Sequence, residues 1–246
     1  MRKNNTYYLR KAHRYLGLAI GIQFLAWTIS GLYFSWTNID SVHGDDMHKP
    51  PHYLASSQQW VSPQVVLEQL AYDSLVSIQS VNLAGSPLYL IRYFSGHAGE
   101  GHHLHTYTTL ADAQTGHLRG PLTKEEAVLL ANDHIIASAQ LDTVEYISEI
   151  GAHHEYRGGP LPAWILRYSE PNMNVYVSAE SGRVEKVRNT SWRIFDFLWM
   201  LHIMDFETRD DINNYLLRGF SILGFITVGS GFMLFFATLH FKRKKR

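Results

Sequence analysis

Tyr15 to Trp36 reads Y-L-G-L-A-I-G-I-Q-F-L-A-W-T-I-S-G-L-Y-F-S-W, twenty-two residues without a formal charge. As a helix rising about 1.5 Å per residue it reaches ~33 Å, enough to cross the hydrocarbon core of a bilayer. A second uncharged run, Gly219 to Phe241, lies near the other end of the chain. The expected fold class is therefore a membrane protein: two transmembrane α-helices, 15–36 and 218–241, flanking whatever the middle of the chain builds.

Overall composition hides this. The 246 residues are 46% hydrophobic with formal net charge zero, values that a soluble domain would also give. The charges, however, are sorted. Residues 1–14 carry Arg2, Lys3, Arg10, Lys11 and Arg14 without an acid, Arg218 precedes the second run, and the chain finishes K-R-K-K-R. All 22 acidic residues fall within 37–215, against 11 Lys and Arg there, a difference of 11 negative charges. Basic flanks stay on the cytoplasmic side. Both termini are thus expected in the cytoplasm, as short basic tails (1–14 and 242–246), with 37–215 outside. The first run is longer than the apolar part of a signal peptide and lacks a small-x-small cleavage site after it, so it reads as a retained anchor. An acidic outer segment argues against nucleic acid as a partner. The absence of cysteine excludes disulfides, thiolate catalysis, iron–sulfur clusters and covalent c-type haem, but not haem b.

Within the first run Gly17 and Gly21 form a small-xxx-small pair, and Ser30-Gly31 repeats the theme. Such residues predict close packing on another helix, with Gly224, Gly229, Ser230 and Gly231 of the second run opposite. Gln23 and Thr28 are polar at membrane depth and need partners. The aromatics Trp27, Tyr33, Phe34 and Trp36 gather at the outer end.

Residues 37–60 read as an irregular linker. Beyond it the sequence repeats itself. Ser62-Pro63 opens one helix, and Thr123 with Glu126, a capping box, opens another. S-P-L-Y-L-I-R-Y at 86–93 answers L-P-A-W-I-L-R-Y at 161–168. A-D-A-Q-T-G-H-L-R at 111–119 answers V-S-A-E-S-G-R-V-E at 177–185, each a hairpin around Thr-Gly or Ser-Gly. Two α+β units follow, 61–121 and 122–190, each a helix packed on an antiparallel sheet. Residues 191–206, apolar but short and carrying Asp196, predict an interfacial helix at the outer membrane surface with Phe195, Trp199 and His202 on one face; 207–217 is a polar connector.

No nucleophile elbow, phosphate loop or H-E-x-x-H motif is present. The candidates for chemistry are among 14 histidines. His13 before the first span and His240 at the end of the second fall, in antiparallel helices, at about the same depth, where a pair of imidazoles can ligate haem iron; a polar side chain at the lipid interface is the plainer reading. His202 sits in an aromatic-rich helix at the opposite face, suited to a haem pocket and equally to a hydrogen-bonded structural histidine. His97, His102, His103 and His105 form a glycine-rich cluster compatible with a transition metal or with simple exposure.

R-K-A-H-R-Y-L-G with W-T-I-S-G-L-Y at the first span, and W-M-L-H-I-M-D-F-E-T-R-D-D-I-N-N-Y-L-L-R-G-F-S-I-L-G leading into the second, resemble the PepSY-associated transmembrane helix (PepSY-TM) family. The repeated helix-plus-hairpin units resemble PepSY domains, so the resemblance covers nearly the whole chain. Some members of that family are haem-containing reductases of the bacterial inner membrane that release iron from siderophores on the periplasmic side. The resemblance implies haem b, with His13 and His202 as ligands in the matching motifs; His240 joins them on geometry alone. It also implies electron transfer to an extracytoplasmic ferric siderophore, for which an acidic outer domain suits a cationic ligand. Family reductases typically have four membrane helices, and this chain has two spans; a homodimer embedded in membrane lipid would supply four. PepSY domains also resemble protease propeptide modules. The alternative is therefore a non-catalytic envelope protein whose PepSY units bind or inhibit another protein such as a peptidase. A periplasmic metal-binding accessory that uses the His97–His105 cluster is a third reading.

Overall fold

The computed structural model describes residues 5–50, 59–95, 106–136 and 139–243, the side chains of 5–6 and 237–243 excepted. The chain divides into two compact units, 1–38 with 193–246, and 39–192.

The first unit is helical. α1 (Asn5–Trp36) and α6 (Tyr215–Arg243) are both long and apolar enough to cross a membrane, over Tyr7–Trp36 and Tyr215–Phe236. α5 (Thr190–Ile203) enters this unit from Arg193 onward. The large residues of α1 pack into small residues of α6: a Cβ placed on Gly224 would stand 3.3 Å from Phe24, and one on Gly231 3.3 Å from His13. The expected close contact at Gly17 and Gly21 is not made, because a Cβ on either meets nothing within 4 Å. Small residues therefore serve this helix pair from one side only, on α6.

α5 runs beside the half of α1 nearer Trp36. Phe195 lies against Phe34, with ring centroids 4.7 Å apart, and the end of α5 reaches Gln23 and Trp27. The last carbonyls of a helix have no partner within it. Here Gln23 Nε2 donates to Leu201 O at 3.0 Å, Trp27 Nε1 to His202 O at 2.7 Å, and Asn214 Nδ2 to Ile203 O at 2.9 Å. Gln23 thereby finds the partner its depth required, and Thr28 donates to Phe24 O of its own helix. The turn between α5 and α6 is built on Asp205. Its carboxylate accepts from the amides of Glu207, Thr208, Asp210 and Asp211 and from the Thr208 hydroxyl. Burial works against its charge, but these hydrogen bonds outweigh it and hold the carboxyl well below the usual range. Asp196, buried, is met by Arg209 at 2.6 Å.

The second unit carries the repeat. α3 (Pro63–Leu67) precedes an antiparallel meander of β1 (Ser74–Leu83), β2 (Ser86–Phe94), β3 (Thr106–Asp112) and β4 (Leu118–Arg119). α4 (Lys124–His134) precedes a second, of β5 (Gln140–Ile147), β6 (Ala163–Glu170), β7 (Met173–Ser178) and β8 (Arg183–Asn189). The two quoted repeats occupy equivalent places, the second strand and the third-to-fourth hairpin of each sheet. Gly116 and Gly182 take φ +79° and +61° in the two hairpin turns. Ser62 caps α3, and Thr123 with Glu126 forms the capping box of α4.

The two meanders are not separate bodies, as two independent units would be. Val81, Leu88 and Leu110 of the first sheet share one core with Leu166, Val175 and Val187 of the second, and Leu122, Ala127, Leu130 and Ala131 fill it from around α4. α3 covers the other face of the first sheet, over Tyr89, Ile91 and Ala111. Nor is 39–50 an irregular linker. α2 (Ile39–His43) and a 3-10 turn at Asp45–Met47 strap onto the sheet unit: Asn189 Nδ2 donates to Ser41 O, Gly44 sits against Val187, and His48 bridges Ile135. Residues 51–58 lie outside the described residues.

Candidate functional site

The helical unit places two of the three expected haem-ligand histidines in matching surroundings. His13, on α1, has its Nδ1 2.7 Å from Ser230 Oγ of α6. His202, on α5, has its Nδ1 2.7 Å from Ser30 Oγ of α1. Among the described residues neither Nε2 has a hydrogen-bond partner. Both serines are buried, Ser30 at 0% and Ser230 at 8% exposure. Each hydroxyl also donates within its own helix, Ser230 to Thr227 O at 2.7 Å and Ser30 to Ala26 O at 2.8 Å with Trp27 O at 3.1 Å.

Aromatic rings surround His202. Trp199 stacks parallel to it at 6.4 Å, one turn earlier on α5, while Phe34 and Trp27 of α1 approach at 5.7 and 6.4 Å. His13 is placed differently, against Gly231: a Cβ there would stand 3.3 Å from Cε1 and 4.0 Å from Nε2. The missing side chain lets that ring edge lie close against the backbone of α6. Seventeen residues of α1 separate His13 from Ser30, about 26 Å along the helix, so the two sites are far apart on α1.

His240 does not share the depth of His13. His13 stands level with Ser230 and Gly231, and nine further residues of α6 carry the backbone about 14 Å on before position 240. The expectation failed because the two helices overlap with an offset that counting from their ends does not reveal. The side chain of His240 lies outside the described residues, as do His97, His102, His103 and His105. Among the described residues no group of three or more His, Asp or Glu is arranged to hold a metal ion. In the sheet unit His43 and His48, with Asp45 and Glu185, line an open cleft of about 270 Å³ that also holds Lys186 and Arg188.

Each site supplies a single imidazole, a donor of the kind that a haem iron takes. In each the Nδ1 is engaged and the Nε2 is not, and three aromatic rings flank His202. Sequence reasoning counted Ser30 and Ser230 only as small packing residues. The available signal was their polarity: a hydroxyl inside an uncharged span needs a partner. No protein-family model matches the chain, and no curated protein and no solved structure matches it.

Proposed function

We propose that this chain is a PepSY-TM-type protein of the bacterial inner membrane that uses haem b to pass electrons outward to ferric chelates such as siderophores. Both termini lie in the cytoplasm and 37–215 in the periplasm, in keeping with the basic flanks of both spans and the acidic middle. The observation that carries the reading is the pair of imidazoles, one toward each end of α1, each fixed at Nδ1 and unengaged at Nε2. His13 and His202 would each hold a haem at its own site, through Nε2. The group supplies a one-electron Fe(III)/Fe(II) couple when bound. Trp199, Phe34 and Trp27 flank the outer site, and Gly231 lets the ring of His13 lie close to α6. One electron from a cytoplasmic donor reduces one ferric ion outside, which releases it because chelators built for Fe(III) hold Fe(II) weakly. A second copy of the chain would supply the further helices that one copy does not.

The test is the absorption spectrum of the full-length protein, expressed with haem supplied and purified in detergent. A Soret band that sharpens and shifts on dithionite reduction, with b-type α and β bands that disappear on adding a ferric siderophore, is the expected result. A folded but colourless protein overturns it and moves the weight to an envelope protein whose PepSY units bind a partner.

A further inference from the structure

The two serine–imidazole contacts follow one rule, and the rule fixes more than position. A hydroxyl has one proton and two lone pairs. Ser230 Oγ lies 2.7 Å from Thr227 O, and Ser30 Oγ 2.8 Å from Ala26 O; a carbonyl oxygen only accepts, so each serine proton is committed to its own helix. What each serine presents to the imidazole is a lone pair. The nitrogen 2.7 Å away must therefore carry the proton, which makes it Nδ1–H. In a neutral ring the other nitrogen is then a bare lone pair. The same device occurs twice with the part played by α1 exchanged: it supplies the serine for the histidine of α5 and the histidine for the serine of α6.

We propose that Ser30 and Ser230 are positioning residues that lock His202 and His13 in the Nδ1–H tautomer, so that each presents a bare Nε2 to iron. This rests on the haem reading above. A hydrogen bond from the outer nitrogen of a ligating histidine fixes the ring and raises its basicity, and loss of such a partner typically costs about 10–100-fold in affinity. An alanine at either position leaves Nδ1–H without an acceptor in apolar surroundings. The ring then exchanges tautomers, and in the Nε2–H form it has no lone pair where a ligand is required.

The test has two readouts on the full-length chain in detergent. On the haem-free protein with ¹⁵N-labelled histidine at pH ~8, above the imidazole range, nitrogen shifts report the tautomer, with His13→Gln and His202→Gln assigning the signals. His13 and His202 are expected as Nδ1–H; Ser230→Ala should release His13 alone, Ser30→Ala should release His202 alone, and Ser230→Thr and Ser30→Thr, which keep the hydroxyl, should retain the lock. On haem-loaded protein each alanine variant should lose about 10–100-fold in haem affinity at its own site. The haem it retains should have a higher midpoint potential, because a less basic imidazole stabilises Fe(III) less. Nε2–H in the wild type, or alanine variants unchanged in tautomer and potential, overturns the proposal. Locked tautomers in a chain that takes up no haem support the serine lock and overturn the haem reading, so the two failures are distinguishable. Gly231→Val, which fills the space beside Nε2 while leaving Ser230 in place, should weaken haem binding at His13 without changing its tautomer.

Discussion

The helical unit and the sheet unit place their apolar side chains in opposite ways. In the sheet unit Ile91, Leu130, Ile165 and Val175 are inside, at 0 or 1% exposure. In the helical unit Leu18, Ile22, Leu25, Phe225, Phe232 and Met233 are each more than half exposed, while Ser30, Ser230, Thr227 and Asp196 are buried with partners. Water accounts for the first arrangement, and the second is the one expected of helices long and apolar enough to cross a membrane. Apolar surface drives the sheet unit together. Between helices surrounded by lipid, small residues and satisfied polar groups do that work instead. Polar atoms in the helical unit are therefore the informative ones, and the two imidazoles are among them.

Substitutions separate the two regimes. The largest effect is expected in the shared core: Leu130→Ala should cost about 2–5 kcal/mol, seen as a lower thermal midpoint of the full-length chain in one detergent. A smaller drop would mean that the two sheets do not depend on α4. Asp205→Ala removes the acceptor of five hydrogen bonds in the α5–α6 turn and should cost about 2–3 kcal/mol. It should also speed proteolysis between 204 and 214, and an unchanged cleavage pattern would count against the turn as the clamp of this unit. Gly44→Ala meets both φ +80° and Val187 Cγ1 at 2.9 Å, and should cost more than about 1 kcal/mol; a neutral outcome would show that the 39–48 strap is dispensable.

Acid offers a finer contrast. Burial lowers the His48 pKa, His134 nearby adds to this, and Asp45 and Asp46 oppose it. A histidine depressed in the fold favours the neutral state, so its contribution is present above the ordinary value of 6.5 and is lost as pH falls from there toward the folded value. His48→Gln should flatten the fall of the thermal midpoint between pH 7.5 and 5; an identical slope would remove His48 from the account. The smallest effect belongs to the exposed face of α1. Leu25→Ala should change stability by less than about 0.5 kcal/mol, and a core-sized loss there would break the contrast between the two units.

Features that depend on neighbours in sequence were legible. The caps at Ser62 and Thr123, the turns at Gly116 and Gly182 and the two long apolar helices each rest on residues a few positions apart. Features that depend on which surfaces meet were not. Nothing local tells that Gly17 and Gly21 face open space while Gly224 and Gly231 receive Phe24 and His13. Helix register moved His240 away from His13, and it brought Ser230 to His13 from 217 residues along the chain. The strap at 39–48 was hidden because the hydrogen bonds that tie it to the sheet unit run to β8 and to the residues at the end of α4, far away in sequence.

Haem stoichiometry in histidine variants tests the central claim most directly. Haem per chain would be measured for the full-length wild type, His13→Ala, His202→Ala and the double variant, expressed with haem supplied and checked for intact folding. The account predicts that each single variant loses the haem of its own site and that the double variant is colourless. Equal haem content in all four, or none in the wild type, would contradict it.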